Sequence, residues 1–320
     1  MIELNRNSLN IESNSKCTLS CPTCKRTDFK EKFGSKTPLP GGTITVNDVA
    51  KCIKYFDGSV DFCGQHSDPI FSPYLAEMLS FLKDNNRETK VTTAASHRSE
   101  SWYINAFESN PDVKWTFGID GPPNLSNIYR INQDGEHLFW MMLMAKSMKL
   151  KVIWKHIVFN YNENHIDYCK KLAKDHNIKI DIIIPSRSLP EELKPTKKEY
   201  QWETYKEVTG PKELKPRCIN NKQQVCLSSG GSFTPCCWFD AEDKRSKDKV
   251  IDGFFNPELN INNNDNVKDI IEGDYWQNFL KSLIDDPDNA PECCNRHCKT
   301  TKPQSLKLNG DKDCSVRIVI

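Results

Sequence analysis

Short apolar runs alternate with longer amphipathic stretches over residues 9–185, and this alternation limits the fold more than any other feature of the chain. Segments 9–12, 60–64, 90–95, 113–120, 151–159 and 179–185 have the length and composition of strands. Between them, 46–56, 72–84, 101–109, 136–148 and 164–176 carry helical periodicity. Cap-like residues precede several of these: Thr45 or Asn47 in the first, Ser72 ahead of Pro73 in the second, Asn162 or Asn164 in the last. Six β–α units in series predict an α/β fold with a parallel sheet, which right-handed crossovers roll into a partial (β/α)6 barrel. Ligands of such sheets collect at the carboxyl ends of the strands.

The chain has 320 residues, enough for one large domain and a smaller one. Its 44 basic and 43 acidic side chains nearly cancel and form no long like-charged block, so charge indicates neither a nucleic-acid groove nor an anionic membrane surface. The N-terminal segment MIELNRNSLN has no secretory pattern, and the most apolar stretch, 138–150, is too short to span a bilayer and contains Lys146 and Lys149. The expectation is a soluble, cytoplasmic protein with no membrane partner. Fourteen cysteines are unusual for such a chain, where thiols more often bind metal or do chemistry than form staples. Cys52, Cys63 and Cys169 read as small core residues. Three others open the chain, and eight follow residue 217.

The opening three lie in KCTLSCPTCKR, where Cys17, Cys21 and Cys24 form a C-x3-C-x2-C run directly after the first strand. Three thiolates can hold a [4Fe–4S] cluster by three irons and leave the fourth open to an exogenous ligand. Zinc is the alternative, but a structural zinc site closes with four ligands, and no nearby Cys or His supplies the fourth at a customary spacing.

This run, in this loop of a six-unit α/β pattern, resembles the cluster motif of the radical S-adenosylmethionine (SAM) superfamily. The resemblance covers residues 9–185. It implies that SAM chelates the open iron and is reductively cleaved to a 5′-deoxyadenosyl radical, which abstracts hydrogen from a substrate. An external electron donor of flavodoxin or ferredoxin type is implied as well. FCGQHSDPIFSPYL is similar to the family's methionine-binding loop, which places Asp68, between Gly64 and Pro69, at the position that receives the SAM amino group. Asp stands here for the family's more usual Glu. VKWTFGIDGPPNLSNIYR resembles the fourth strand and its loop, so that Asp120 faces the cavity and Arg130 pairs with the SAM carboxylate. KVIWKHIVFNYNEN resembles the fifth strand and offers Lys155, His156 and Asn160, and TTAASHRSE adds Ser96 and His97. The ordinary roles of such residues are turn capping for Asp120, a solvated charge for Arg130 and helix capping for Asn160.

In RCINNKQQVCLSSGGSFTPCCWF, twelve residues separate Cys218 from Gly231 and four separate Gly231 from Cys236, which predicts a hairpin with a Ser-Ser-Gly-Gly turn. It resembles the opening of the SPASM and twitch extensions of radical SAM enzymes. CCNRHC and Cys314 follow in place of the longer SPASM series. The resemblance implies one auxiliary [4Fe–4S] cluster on Cys218, Cys236, Cys294 and Cys298, with Cys226, Cys237, Cys293 and Cys314 as alternates and two clusters as the alternative count. A zinc ribbon is the competing reading. The expected domains are a partial barrel over 1–190, a linker over 191–217 and a SPASM/twitch-like cluster domain over 218–320. The expected activity is radical SAM modification of a peptide or protein. The alternatives are a nucleotide or other small-molecule substrate, and a non-catalytic zinc-binding interaction protein.

Overall fold

The computed structural model describes residues 2–4, 6–185, 189–201, 213–219, 224–239, 248–299, 305–310 and 314–319, the last two as backbone strands. The chain divides into two compact units. Unit one comprises Met1–Lys16, Pro38–Thr89 and Thr209–Thr301, and unit two comprises Cys17–Thr37, Lys90–Val208 and Lys302–Ile320.

In unit one, β1 (Ser8–Ile11) lies parallel to both β2 (Ser59–Phe62) and β7 (Val225–Leu227), and β8 (Phe233–Thr234) closes an antiparallel hairpin with β7. The Ser-Ser-Gly-Gly turn connects β7 to β8 as the spacing predicts, and Gly231 at φ 91° takes the left-handed conformation that suits glycine. Helices α2 (Val46–Ile53) and α3 (Leu75–Asp84) fall inside the expected helical segments. Thr45 caps α2 in a reciprocal capping box: its hydroxyl accepts from the Asp48 N–H at 3.3 Å, and the Asp48 carboxylate accepts from the Thr45 N–H at 2.8 Å. Further along, α7 (Lys249–Gly253), α8 (Val267–Ile271), α9 (Asp274–Asp285) and α10 (Glu292–Cys298) follow the hairpin. Their core is Phe254, which Phe239, Tyr275, Trp276 and Phe279 meet edge-on with centroids 5.0–5.3 Å away.

In unit two, α1 (Lys25–Phe33) precedes β3 (Thr89–Thr93), α4 (Glu100–Ser109), β4 (Lys114–Gly118), α5 (Gly135–Ser147), β5 (Lys151–Ile157), α6 (Ile166–Asp175) and β6 (Lys179–Ile184). Strands β3 to β6 pair in parallel in chain order. β10 (Cys314–Val319) then adds parallel to β6 and pairs antiparallel with β9 (Ser305–Gly310). Segment 189–201 is held to this unit by the Glu163 carboxylate, which accepts from the N–H groups of Thr196 and Lys197 at 2.8 and 3.0 Å. Among the described residues no helix is long and apolar enough to cross a membrane.

Strand alternation gives each sheet two chemically different faces. Trp115 and Trp154 are fully buried and meet Phe107 of α4 and Phe139 of α5, with centroids 5.0 and 5.4 Å apart, so their face is the helix-covered one. Thr116, Gly118 and Lys155 fall on the other face by register. In unit one, Leu9, Ile11, Val60 and Phe62 are buried to within 1% while Asn10, Asp61 and Cys226 share the opposite, polar face.

Three expectations are corrected by this geometry. Cys63 is half-buried, because it continues the Asp61 side of β2 rather than the Phe62 side; Cys52 and Cys169 are core residues as expected. The cap of α6 is His165, since Asn162 instead folds the preceding loop, accepting from the Phe159 N–H at 2.8 Å and donating to the Ile157 carbonyl at 2.9 Å. Likewise α3 begins after Tyr74, behind a 3₁₀ turn at Pro69–Phe71.

His156 is a fourth correction, because it shares the helix-covered face with Trp154 and stacks beside it at 6.4 Å. Burial pushes its imidazole down to about 4, against the opposing pull of the Asp120 carboxylate. The folded protein therefore holds His156 neutral while an unfolded chain protonates near pH 6.5. Its contribution to stability is fully present above pH 6.5 and is lost as pH falls from there to about 4. That window is about 2.5 pH units, or about 3 kcal/mol in all. Denaturant unfolding of wild type and His156→Leu from pH 8 to pH 5 should show the wild type losing about 2 kcal/mol more than the variant; parallel pH profiles would contradict this placement.

Candidate functional site

Unit two builds the first group of candidate residues around the cysteine loop. Cys24 occupies the N-cap position of α1, and its carbonyl accepts from the Thr27 and Asp28 N–H groups at 2.8 and 3.1 Å. The Cys21 carbonyl is held by the Cys24 N–H at 3.1 Å and the Thr27 hydroxyl at 2.9 Å. Cys21 is buried, whereas Cys17 and Cys24 are half-buried. Burial pushes the Cys21 thiol up, and the Arg130 guanidinium pulls it down.

The loop is fastened at four points. Ser20 N–H donates to the Ile131 carbonyl at 3.0 Å, and the Asn132 amide donates to the Thr18 carbonyl at 3.2 Å. Thr23 and Tyr129 share a hydroxyl–hydroxyl bond of 2.6 Å, and Thr18 meets His97 Nδ1 at 2.8 Å. His97 is therefore a support of the loop, and Ser96 is spent on α5, accepting from the Asp134 N–H at 2.7 Å.

Asp120 and Arg130 form an ion pair, Nε to Oδ2 at 2.8 Å. Asp120 is fully buried; its Oδ1 accepts from the Ile157 N–H at 2.9 Å, and its N–H donates to Ser126 at 2.8 Å. Burial works against the Arg130 charge, but the Asp120 carboxylate, together with Cys21 and Tyr129, outweighs it and keeps the guanidinium protonated. Tyr129, Phe159 and Tyr161 stack in series at 4.2 and 5.6 Å, and the Tyr161 hydroxyl donates to the Asp120 carbonyl at 3.0 Å. Asn160 lies beyond β5, donating through its amide to the Glu192 carbonyl and through its N–H to that of Leu193. Gln133, absent from the sequence reading, ties the ends of β3 and β4 by donating to the carbonyls of Ala94 and Gly118. No spacing rule marks it, because it acts from a loop.

Asp68 belongs to unit one. It caps the 3₁₀ turn, accepting from the Ile70 N–H at 3.2 Å, while its own N–H and carbonyl bind the Lys16 carbonyl and the Asn14 amide, each at 2.9 Å. The loop before it is shaped by Glu12, which the sequence reading also omits. Its carboxylate accepts from the N–H groups of His66 and Ser67 at 2.7 and 3.0 Å. Gly64 is required there, since a Cβ would lie 2.2 Å from the Ser67 carbonyl oxygen.

The second cysteine group, apart from Cys314, lies in unit one. Cys218, Cys236, Cys294 and Cys298 line one pocket, together with Cys293. Cys294 and Cys298 stand one turn apart on α10, and Trp238 and His297 cover the pocket with rings stacked at 3.7 Å. Burial pushes the Cys218 thiol up to about 12 and that of Cys236 well above its ordinary value, so the free thiols are protonated and a metal would displace protons on binding. Cys226 and Cys237 line a separate pocket with Glu12 and His66. Cys314 opens β10, whose backbone pairs with β6.

Among the described residues, no three His, Cys, Asp or Glu side chains gather tightly enough to hold a single metal ion. Zinc needs four ligands within about 2.0–2.3 Å of one point. A four-iron cluster, being a larger body, takes thiolates that stand further apart, and both thiol groups suit it in donor type and number.

No protein-family model matches the chain, and no curated protein matches it. Solved structures do. SuiB of Streptococcus suis superimposes with a TM-score of 0.57 at 13% identity, over 84% of this chain and 66% of SuiB. SuiB bound to the precursor peptide SuiA gives 0.58 at 11% identity, over 86% and 67%. anSMEcpe with bound AdoMet and a Cp18Cys peptide gives 0.53 at 14% identity, over 91% and 87%. The chain thus spans about two thirds of the length of SuiB.

Proposed function

We propose that this chain, whose fold is that of the radical SAM enzymes SuiB and anSMEcpe, is itself a radical SAM enzyme that abstracts hydrogen from a peptide or protein substrate. The observation that carries the proposal is the position of three thiols, Cys17, Cys21 and Cys24, on one fastened loop that ends at the N-cap of α1 within that fold. These would hold a [4Fe–4S] cluster. When bound, the cluster supplies the electron for reductive cleavage of SAM and the hydrogen abstraction that follows.

The chain's own groups would orient and enclose. Asp68 would receive the SAM amino group, Asn160 would accept a cofactor hydrogen bond, and Arg130, braced by Asp120, would offer cationic donors to the carboxylate. Cys218, Cys236, Cys294 and Cys298 would hold one auxiliary [4Fe–4S] cluster, with Cys293 as the spare thiol of that pocket. A flavodoxin- or ferredoxin-type protein would deliver electrons. A peptide substrate is supported by the peptides present in the SuiB and anSMEcpe structures.

Anaerobically purified protein, reduced with dithionite and given SAM, should release 5′-deoxyadenosine and contain iron with acid-labile sulfide. Zinc without sulfide, and no SAM cleavage, would instead support the interaction-protein reading.

Asp68→Asn tests the methionine-binding loop. The amide keeps an oxygen for the Ile70 N–H but removes the charge that strengthens a bond to an ammonium-derived group. Such bonds are worth about 1.5–3 kcal/mol, so SAM affinity should fall roughly tenfold to a hundredfold with iron content unchanged. Titrating SAM into the reduced protein by EPR measures this, and wild-type affinity would remove Asp68 from the site.

A further inference from the structure

Apart from the cysteine pocket, unit one holds a second pocket on the polar face of β1, β7 and β8, lined by Asn10, Glu12, Cys226 and Thr234. Register sets these residues side by side. Cys226 stands opposite Asn10 on one side and Thr234 on the other, and Glu12 follows Asn10 by two residues on the same face. The Glu12 side chain is only 6% exposed. Its Oε1 is filled by the His66 and Ser67 N–H groups at 2.7 and 3.0 Å. Its Oε2 receives no hydrogen bond from the described residues: His66 Nδ1 stands 3.9 Å away, too far for one, and no described Lys or Arg pairs with Glu12. A buried carboxylate oxygen without a donor is costly, so a pocket built around one suits a ligand that brings the donor.

The lining narrows the ligand further. With Oε1 occupied by two donors, one oxygen of Glu12 remains, which a compact ammonium can meet and a two-pronged guanidinium cannot meet bidentately. Asn10 adds a side-chain carbonyl to the pocket, and the Thr234 hydroxyl, which donates to the Cys236 carbonyl at 3.2 Å, keeps its lone pairs for a further N–H. Phe239 and Phe255 line the same pocket and give apolar cover to an aliphatic stem. We infer that this pocket is a subsite for a primary ammonium on an aliphatic stem, the side chain of a lysine in the substrate peptide, with Glu12 as its counter-ion. That the ammonium belongs to a peptide substrate rests on the radical SAM reading.

The experiment is calorimetric titration of the full-length, cluster-loaded protein with acetyl-Ala-Lys-Ala-amide and with its norleucine, Nε-acetyl-lysine and arginine counterparts, each without SAM and with SAM saturating. The lysine peptide should bind about tenfold more tightly than the two neutral counterparts and more tightly than the arginine one, and SAM should leave that preference in place. Glu12→Gln keeps an oxygen for the His66 and Ser67 N–H groups but loses the charge, and should abolish the preference. A preference that survives in Glu12→Gln overturns the inference. Equal binding of the lysine and norleucine peptides by the wild type, or no binding of either, overturns it whether or not the variant folds. So does loss of the lysine preference on adding SAM, which would give Glu12 to the SAM ammonium instead. A lysine preference in a protein that fails to cleave SAM would sink the radical SAM reading and leave the ammonium pocket standing, whereas SAM cleavage without the preference would do the reverse.

Discussion

Replacing Cys17, Cys21 and Cys24 together by Ala should reduce 5′-deoxyadenosine formation below detection and remove roughly four irons per chain, while leaving the rest of the protein folded. The iron loss follows from taking away every thiol of the loop. The intact fold follows from how the loop is held: the Ser20–Ile131, Thr23–Tyr129 and Asn132–Thr18 bonds use backbone, hydroxyl and side-chain amide groups that the substitutions leave in place. Only Cys21 is buried, and replacing a thiol by a methyl there removes little volume. Circular dichroism and thermal unfolding should therefore match those of the wild type stripped of this cluster. SAM cleavage under dithionite by the triple variant would sink the proposed function, because no other part of the proposal supplies an electron to SAM.

The six β–α units were legible because each has a period of its own. The strands alternate, as in Val113–Trp115–Phe117 against Lys114 and Thr116, and α3 repeats its apolar residues at Leu75, Met78, Leu79 and Leu82. The hairpin was legible from its turn. What period alone leaves open is which face of a strand looks where. His156 and Lys155 read equally well as cavity residues until Trp154, packed on Phe139, fixes the helix side and takes His156 with it. Cys63 was misjudged for the same reason, one residue beyond Phe62. β9 and β10 are missing from the sequence reading because a parallel partner so distant along the chain leaves no local trace.

The candidate site divides along the same line. Cysteine spacing is a chemical pattern and can be read directly, whereas the pairing of Asp120 with Arg130 depends on how the single connection between β4 and α5 folds back on itself. Each looked like a separate cofactor contact, and each is partly spent on the other. Glu12 and Gln133 had no signal at all, since one polar residue just after a strand and one in a loop are ordinary until the N–H groups and carbonyls they serve are seen.

The second large effect concerns the C-terminal cysteines, and here the expected loss is of stability as well as iron. Cys218→Ala or Cys236→Ala should lower iron by roughly four atoms per chain and the thermal midpoint by roughly 5 °C or more. The pocket lies between a turn at Cys218, the end of the β7–β8 hairpin at Cys236 and helix α10, three segments that a shared cluster would bind together. Without it they are joined by contacts such as the Lys215 N–H bond to the Cys298 carbonyl at 2.9 Å and the Trp238–His297 stack. Binding free energy at such a site is folding free energy, so losing the metal loosens the pocket that held it. Cys293→Ala should keep near-wild-type iron, since four other thiols line the same pocket, and Cys226→Ala should do so because Cys226 lines a different one. The iron remaining in Cys218→Ala should be removable by further substitution of Cys17, Cys21 and Cys24. Unchanged iron accompanied by lost zinc in Cys218→Ala or Cys236→Ala would make the pocket a zinc ribbon, and lost iron in Cys226→Ala would move the cluster to the neighbouring pocket.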